Sequence, residues 1–439
     1  MKLSKLVLIG VAAASLAAPI TTYATNGYFA HGYGTKSKGL AGGGSALPQD
    51  AMASATNPAG MVWVGERMEL GAAIFSPIRE YTVTGDAPDD PPPSFDLSLG
   101  TVESDSEYFL VPHFAYNWML DSDSSIGLAV YGNGGMNTDY PASANNGMGT
   151  YYGGMVPGAK ANAGIDLMQL FFNVSYSRKI SDSASWGVSL ISAYQRFTAT
   201  GLAAFGGYSS APMSLTDNDY DDGFGFGGKF GVQAEIAAGL TLAASYQTEI
   251  AMEEFSDYAG LFAEQGDFDI PASWTVGLAY NLGSAGTLTF DVQEIIYSDV
   301  ASINNPFLPN IMMAPLGADG GAGFGYEDMM IYKVGYQWSS SKSWVWRLGF
   351  STGDQPIPES EVLFNILAPA VMEQHFTAGF TYNMADDTEF NFAAMYAPSN
   401  SVTGPNYLSG GAVSGPAPDQ NIEIEMTQWE LEASWAWKF

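Results

Sequence analysis

The chain has 439 residues, with 46 acidic against 15 basic side chains, a net charge of −31 and no cysteine. That balance is the reverse of the basic footprint a nucleic-acid binder needs, and zero Cys excludes a disulfide scaffold or a thiolate metal site. Only 14% of residues are charged while 13% are aromatic, against roughly 25% charged in a soluble domain; the aromatic content also argues against disorder, which leaves a chain solvated by lipid.

Lys2 and Lys5 precede an apolar run from Leu6 to Ala18, and Thr22-Tyr23-Ala24 follows with small residues near cleavage-site offsets. Residues 1–24 therefore read as a signal peptide cut after Ala24. The run is shorter than the ~20 residues of a helical anchor. Without Lys2 and Lys5 the processed chain carries 13 basic and 46 acidic residues, a charge of −33.

Residues 25–66 are rich in Gly and Ala and show no alternation. They form a separate unit ahead of residues 67–439, where alternation dominates. Phe224, Phe226, Phe230, Val232 and Ile236 alternate with Gly225, Gly227, Lys229, Gly231, Gln233 and Glu235. Met330, Tyr332, Val334, Tyr336 and Trp338 alternate with Ile331, Lys333, Gly335, Gln337 and Ser339. At the C-terminus Trp429, Leu431, Ala433, Trp435, Trp437 and Phe439 alternate with Glu430, Glu432, Ser434, Ala436 and Lys438. Period two makes strands with one apolar face and one polar or small face.

The connections alternate in length. Short ones contain 121–124, 181–185, 237–239, 283–286, 339–343 and 385–388; long ones run roughly 82–107, 132–163, 198–222, 251–269, 299–325, 352–371 and 397–421. Short turns on one side and long loops on the other mark an outer-membrane barrel of about fourteen strands. The predicted fold is all-β: a transmembrane antiparallel up-and-down β-barrel, closed because lipid offers the backbone no hydrogen-bond partners. A lumen of that width needs filling, and residues 25–66 are the candidate plug.

Those residues carry a family pattern. Gly39-Leu40-Ala41-Gly42-Gly43, then Ala46, Asp50-Ala51 and Asn57-Pro58-Ala59-Gly60, resemble the hatch of the outer-membrane long-chain fatty acid transporters of the FadL/TodX type. Strand count, terminal Phe439 and loop layout agree. The resemblance implies a hatch inside the barrel, a kinked third strand that opens a gap in the wall, and passive uptake of a hydrophobic molecule that leaves sideways into the membrane. Its implied partners are a fatty acid, an aromatic hydrocarbon or a similar molecule, together with outer-membrane lipids; a monomer in the bacterial outer membrane is expected.

Candidate residues follow. Strand 3, from about Ser125 to Tyr131, meets Gly132-Asn133-Gly134-Gly135, where glycines can break a ladder; the resemblance puts Asn57, Pro58 and Ala59 beside the gap. Phe255, Tyr258, Leu261 and Phe262 have the spacing of one face of a short helix. With Leu202, Phe205, Tyr208, Met213 and Leu215 they would make an apolar patch facing water, as ligand-capturing loops do. By strand phase Lys229, Lys333 and Arg347 face the lumen, and with Lys36 and Lys38 they are candidates to pair with a carboxylate headgroup or with lumen acids. Asp217–Gly223 resembles the start of a calcium loop but lacks the closing Glu. His31, His113 and His375 are isolated, and no enzyme activity, cofactor or metal is assigned. A water-filled porin and a non-transporting adhesin-like barrel are the alternatives.

Overall fold

The computed structural model describes residues 26–86, 95–141, 162–409 and 418–439. The signal-peptide reading of residues 1–24 lies outside the described residues, as do parts of three long loops. Fourteen strands cross the sheet: β1 (Arg67–Gly85), β2 (Phe109–Met119), β3 (Ser124–Asn137), β4 (Gly164–Ser181), β5 (Ala184–Thr200), β6 (Asp221–Ala237), β7 (Leu240–Gln247), β8 (Ser273–Asn281), β9 (Thr287–Ile295), β10 (Met329–Ser339), β11 (Trp344–Gly353), β12 (Gln374–Asn383), β13 (Thr388–Pro405) and β14 (Gln420–Lys438). All pairings are antiparallel, and β14 returns to β1 from Arg67↔Lys438 to Gly85↔Gln420, which closes the barrel. Two short strands, Gly100–Glu103 on β1 and Ala251–Met252 on β6, lie at the long-loop end.

The period-two pattern sorts as expected. Leu431 and Trp435 face outward and are exposed, while Glu430, Glu432 and Ser434 are buried inside. Aromatic pairs gather outside near the short turns, such as Tyr116 on Trp118 (4.1 Å) and Trp344 on Tyr382 (4.8 Å). Tyr108–Trp429 (6.2 Å) and Tyr194–Phe224 (5.2 Å) sit nearer the long loops. Two aromatic levels flanking an aliphatic band are the girdles of a membrane barrel.

Two local expectations change. Strand β3 does not end at Tyr131 but continues to Asn137. Its register against β4 jumps from Gly132↔Leu170 to Gly134↔Gln169, so Asn133 is the extra residue of a bulge. The helix expected around Phe255–Phe262 is replaced by a 3₁₀ turn, Ser256–Tyr258, and a separate turn, Ala263–Gly266. Gly260 and Gly266 divide the segment: a side chain at Gly260 would strike the Ala211 carbonyl, and Gly266 sits at φ +107°.

The inner wall carries a belt of glycines. A Cβ on Gly127 would meet the Met61 side chain, on Gly187 the Pro58 backbone, on Gly231 the Asn57 carboxamide, on Gly277 the Ser45 hydroxyl and on Gly349 the backbone at Leu40–Ala41. These glycines lie on β3, β5, β6, β8 and β11 and let the wall touch residues 26–66 directly. The small, Gly-rich face seen in the sequence is thus a contact surface.

Candidate functional site

Residues 26–66 lie inside the cylinder, bonded to inner-facing side chains around the wall. Lys36 pairs with Glu389 on β13 at 2.6 Å. Lys38 pairs with Glu430 and Glu432 on β14 at 2.9 and 2.6 Å, and Thr35 Oγ1 donates to Glu432 at 2.8 Å. Asp291 on β9 accepts from the Gly44 and Ser45 amides at 2.8 and 3.0 Å and from the Ser45 hydroxyl. Lys333 donates to the His31 and Gly42 carbonyls at 3.1 and 3.3 Å, and Lys229 donates to the Ala55 carbonyl. Arg347 grips Gln49 Oε1 from Nε and Nη2 at 3.1 and 2.8 Å. The five basic candidates therefore each hold the inner segment to the wall: two through ion pairs, three through carbonyl or carboxamide oxygens. Asp291 was not a candidate from sequence; its inward phase beside Phe290 was the available signal.

Asn57 caps the 3₁₀ turn Pro58–Trp63 by accepting from the Ala59 amide at 3.0 Å. Its carboxamide also donates to the Val232 carbonyl at 3.2 Å. Ser177 and Ser185 donate to the Ala59 carbonyl at 3.1 and 2.7 Å. Asn57, Pro58 and Ala59 thus bond to β4, β5 and β6. The kinked edge of β3 itself is bonded by Tyr28, Phe29 and Ala30. Ala30 N donates to Asn133 O at 2.8 Å and Gly135 N to Tyr28 O at 2.9 Å, while Phe29 forms a bridge with Gly134. Gly134 has no room for a Cβ against the Tyr28 carbonyl. Tyr33 Oη donates to Asn133 Oδ1 at 2.7 Å.

These bonds replace a missing ladder. Strands β2 and β3 pair from Met119↔Ser125 up to Phe114↔Val130 and no further. Phe109–His113 stay paired to β1 on their other side, and Tyr131–Asn137 stay paired to β4. Pro112, which has no N–H to donate, lies on the unzipped stretch, as Pro does on sheet edges. Above it, Ser104 N donates to Arg79 O at 2.9 Å and Asp105 N to Asp139 O at 2.8 Å, so the wall closes again. The result is a bounded window between β2 and β3. Gly132, Gly134 and Gly135 lie on one side of it.

The loop candidates are brought together differently from the expected exposed patch. Leu202, Phe205, Phe255, Tyr258 and Phe262 are buried and Tyr208 is half-buried. Phe255, Tyr258 and Phe262 pack round Phe197 at 5.5, 4.8 and 4.7 Å. Phe205 stacks on Phe95 at 4.9 Å, with Tyr208 at 5.8 Å from the same ring. The loops bond to each other through Gly260 N to Ser214 O at 2.8 Å and Asn218 Nδ2 to Asp257 O at 2.8 Å. The apolar side chains satisfy one another; Met213 stays exposed.

The acidic stretch ties loops together. Tyr258 Oη donates to Asp219 O at 2.6 Å, and Asp221 Oδ2 accepts from Asp257 N at 2.9 Å. Among the described residues no cluster of three His, Asp or Glu could hold a metal. His31 stacks on His375 at 5.8 Å, and His113 lies between Glu69 (3.7 Å) and Glu432 (3.5 Å).

One loop group is tuned. Burial first, then the Asp269, Glu264 and Glu249 carboxylates, push the Asp267 carboxyl up to about 7. A raised carboxyl pKa favours the folded loop below the ordinary carboxylate range, and that contribution is lost as pH rises through about 7. Amide protection across residues 251–270, taken as the exchange rate relative to the intrinsic rate at each pH, is expected to be higher at pH 5 than at pH 8. Asp267→Asn is expected to flatten the difference; an unaltered difference would contradict the assignment.

The comparisons with known proteins come down on the same fold. A family model described as outer membrane protein transport protein (OMPP1/FadL/TodX) matches residues 16–407. The toluene transporter TodX of Pseudomonas putida is 17% identical with a TM-score of 0.68, covering 94% of this chain and all of that one. A FadL homologue of Pseudomonas aeruginosa is 14% identical with a TM-score of 0.67, at 94% and 100% coverage. The toluene transporter TbuX of Ralstonia pickettii is 15% identical with a TM-score of 0.62, at 93% and 99% coverage. The search of curated proteins gives no match. A closed fourteen-strand barrel with aromatic girdles, matched over most of its length by that family model, is a member of the OMPP1/FadL/TodX outer-membrane transport proteins.

Proposed function

We propose that the protein is a passive uptake channel for hydrophobic small molecules, with residues 25–66 as its hatch and the window between β2 and β3 as its exit. The observation that carries this reading is the ladder that stops at Phe114↔Val130 while Tyr28–Ala30 bond the kinked edge of β3. A molecule inside the lumen that displaces those few hydrogen bonds reaches lipid without crossing a polar layer. Affinity comes from apolar burial, at roughly 0.8 kcal/mol per CH₂, so the ligand needs no tight polar clamp. The related channels described as toluene transporters support a hydrophobic cargo. In this reading the working unit is a monomer in contact with outer-membrane lipid.

The test is uptake of labelled toluene and labelled palmitate by cells lacking their own channel. Expression of this chain is expected to raise uptake of at least one, and the purified protein is expected to be nearly silent in planar bilayers. Large steady ion conductance with no hydrophobic uptake would instead support a water-filled porin.

A further inference from the structure

The loop between β11 and β12 does not stay outside the cylinder. Residues 361–372 are all buried, and only Glu361 and Asn365 among them are polar. Phe364 fixes the base of this strap, stacking on Phe307 and Phe324 at 5.4 and 5.2 Å. Its tip, Ala368-Pro369-Ala370, lines one narrow cleft together with Phe75 of β1, Met426 of β14 and Gly135–Asn137 of β3. Phe75 is the register partner of Phe109, on the unzipped edge of β2. The tip therefore lies on the lumen side of the window, against its kinked edge.

The strap is held by side chains, one carbonyl at a time. Tyr140 Oη donates to Ile366 O at 3.0 Å and Thr138 Oγ1 to Leu367 O at 2.8 Å, both from just beyond the kinked end of β3. Tyr326 Oη donates to Ala368 O at 2.7 Å, and Asn400 Nδ2 to Val371 O at 2.7 Å. The amides of Ile366, Leu367 and Ala368 bond inside the segment, to Val362, Phe364 and Asn365 carbonyls at 3.1, 3.2 and 3.1 Å. Pro369 has no N–H to satisfy. Among the described residues no strand ladder includes the strap. Irregular backbone in an apolar lumen needs a partner for each carbonyl. Hydroxyl and carboxamide donors supply those partners singly, and water can replace them singly once the tip moves outward.

We infer that residues 366–370 are a bolt across the lumen side of the window, and that cargo leaves by taking the place of the Ala368–Ala370 tip. The inference deepens the uptake reading and rests on it. Two separate parts then close the exit: Tyr28–Ala30 hold the edge of β3, and the strap covers the opening. The hydroxyls of Tyr140 and Tyr326 stabilise the seated tip. Without them, seated carbonyls are buried and unpaired, while those of a withdrawn tip still meet water. Losing these hydroxyls therefore speeds exit, which is opposite in sign to the effect of general damage to the barrel.

The test uses Tyr140→Phe and Tyr326→Phe, each of which keeps the ring and removes one donor. Initial uptake of labelled toluene and labelled palmitate is measured in cells lacking their own channel, at equal surface amounts of each variant. For the cargo that wild type carries, the double variant is expected to be about 5-fold faster, the scale of a lost hydrogen bond, with each single variant in between. Folding is checked by heat-modifiable migration on gels. The second readout is hydrogen exchange on purified wild type: the amides of 366–368 are expected to exchange faster in saturating toluene or palmitate than without it, with β13 and β14 unchanged. Uptake at or below wild type in the folded double variant overturns the inference, as does exchange at 366–368 that the transported cargo leaves unaltered. Should the double variant misfold, Tyr326→Phe alone and the exchange measurement decide by the same criteria. Wild-type cells that take up cargo while the variant is no faster would sink the bolt and leave the uptake reading standing. Wild-type cells that take up neither cargo would sink the uptake reading, and the bolt with it.

Discussion

Deleting Asn133 is expected to abolish hydrophobic uptake while leaving a folded barrel. Asn133 is the one extra residue between Gly132↔Leu170 and Gly134↔Gln169. Without it the register of β3 runs straight, and Tyr131 and the residues beyond can meet His113–Phe109, whose edge toward β3 carries no ladder. Strand pairing then replaces the bonds from Tyr28 and Ala30. Uptake of labelled cargo is expected to fall to that of cells without the protein, with heat-modifiable migration unchanged. A second closure uses the absence of native Cys. Val111→Cys and Asn133→Cys, facing each other across the window by extension of the register, are bridged with a reducible bis-maleimide spacer. Uptake should stop on bridging and return on reduction. Undiminished uptake through a stapled window would rule out lateral exit there.

The second large effect concerns residues 26–66, the proposed hatch. Lys38 sits between Glu430 and Glu432, with all three side chains at most 4% exposed. Lys38→Met leaves two carboxylates side by side with no ammonium between them. Breaking a buried pair from one side costs about 3–5 kcal/mol, and here the loss falls on the contact between hatch and wall. Denaturant unfolding is expected to shift by that amount, and single-channel steps should appear in bilayers as the hatch loosens. Adding Glu430→Gln and Glu432→Gln to the Met variant is expected to recover most of the stability, since the repulsion is then gone. The pair of half-buried Lys179 with the exposed Asp123 of a short turn, at 3.6 Å, is the internal contrast: Lys179→Met should change stability by about 0–1 kcal/mol. Equal losses at the two sites would show that burial is not what sets the strength of the Lys38 cluster.

The barrel was legible because its rules are local. Alternation identified the lumen phase of Lys229, Lys333 and Arg347, and the alternating loop lengths gave the strand number without any long-range information. The partners of those residues were not legible. Lys36 and Glu389 lie far apart in the chain, and a wall Glu looks the same in sequence whether it faces water or an ammonium. The Gly132–Gly135 run reads in sequence either as the end of strand 3 or as a kink in it. Glycines permit both a stop and a bulge, and the choice here is made by Tyr28–Ala30, a segment with no pattern of its own. The apolar loop residues were found, but the exposed groove was not. Hydrophobic spacing cannot tell side chains that wait for a ligand from side chains that bury one another, as Phe197 and its three aromatic neighbours do.

The acids that Lys36 and Lys38 neutralise stand on β13 and β14, the final two strands, and Glu69 on β1 lies across the closing seam from them. Wrapping the last strand onto the first therefore crowds like charges whose compensation comes largely from residues near the amino terminus, with Lys438 also pairing with Glu389. The portion of the polypeptide made earliest stores the counter-ions for the portion made last, which couples the direction of synthesis to the electrostatics of sealing the cylinder.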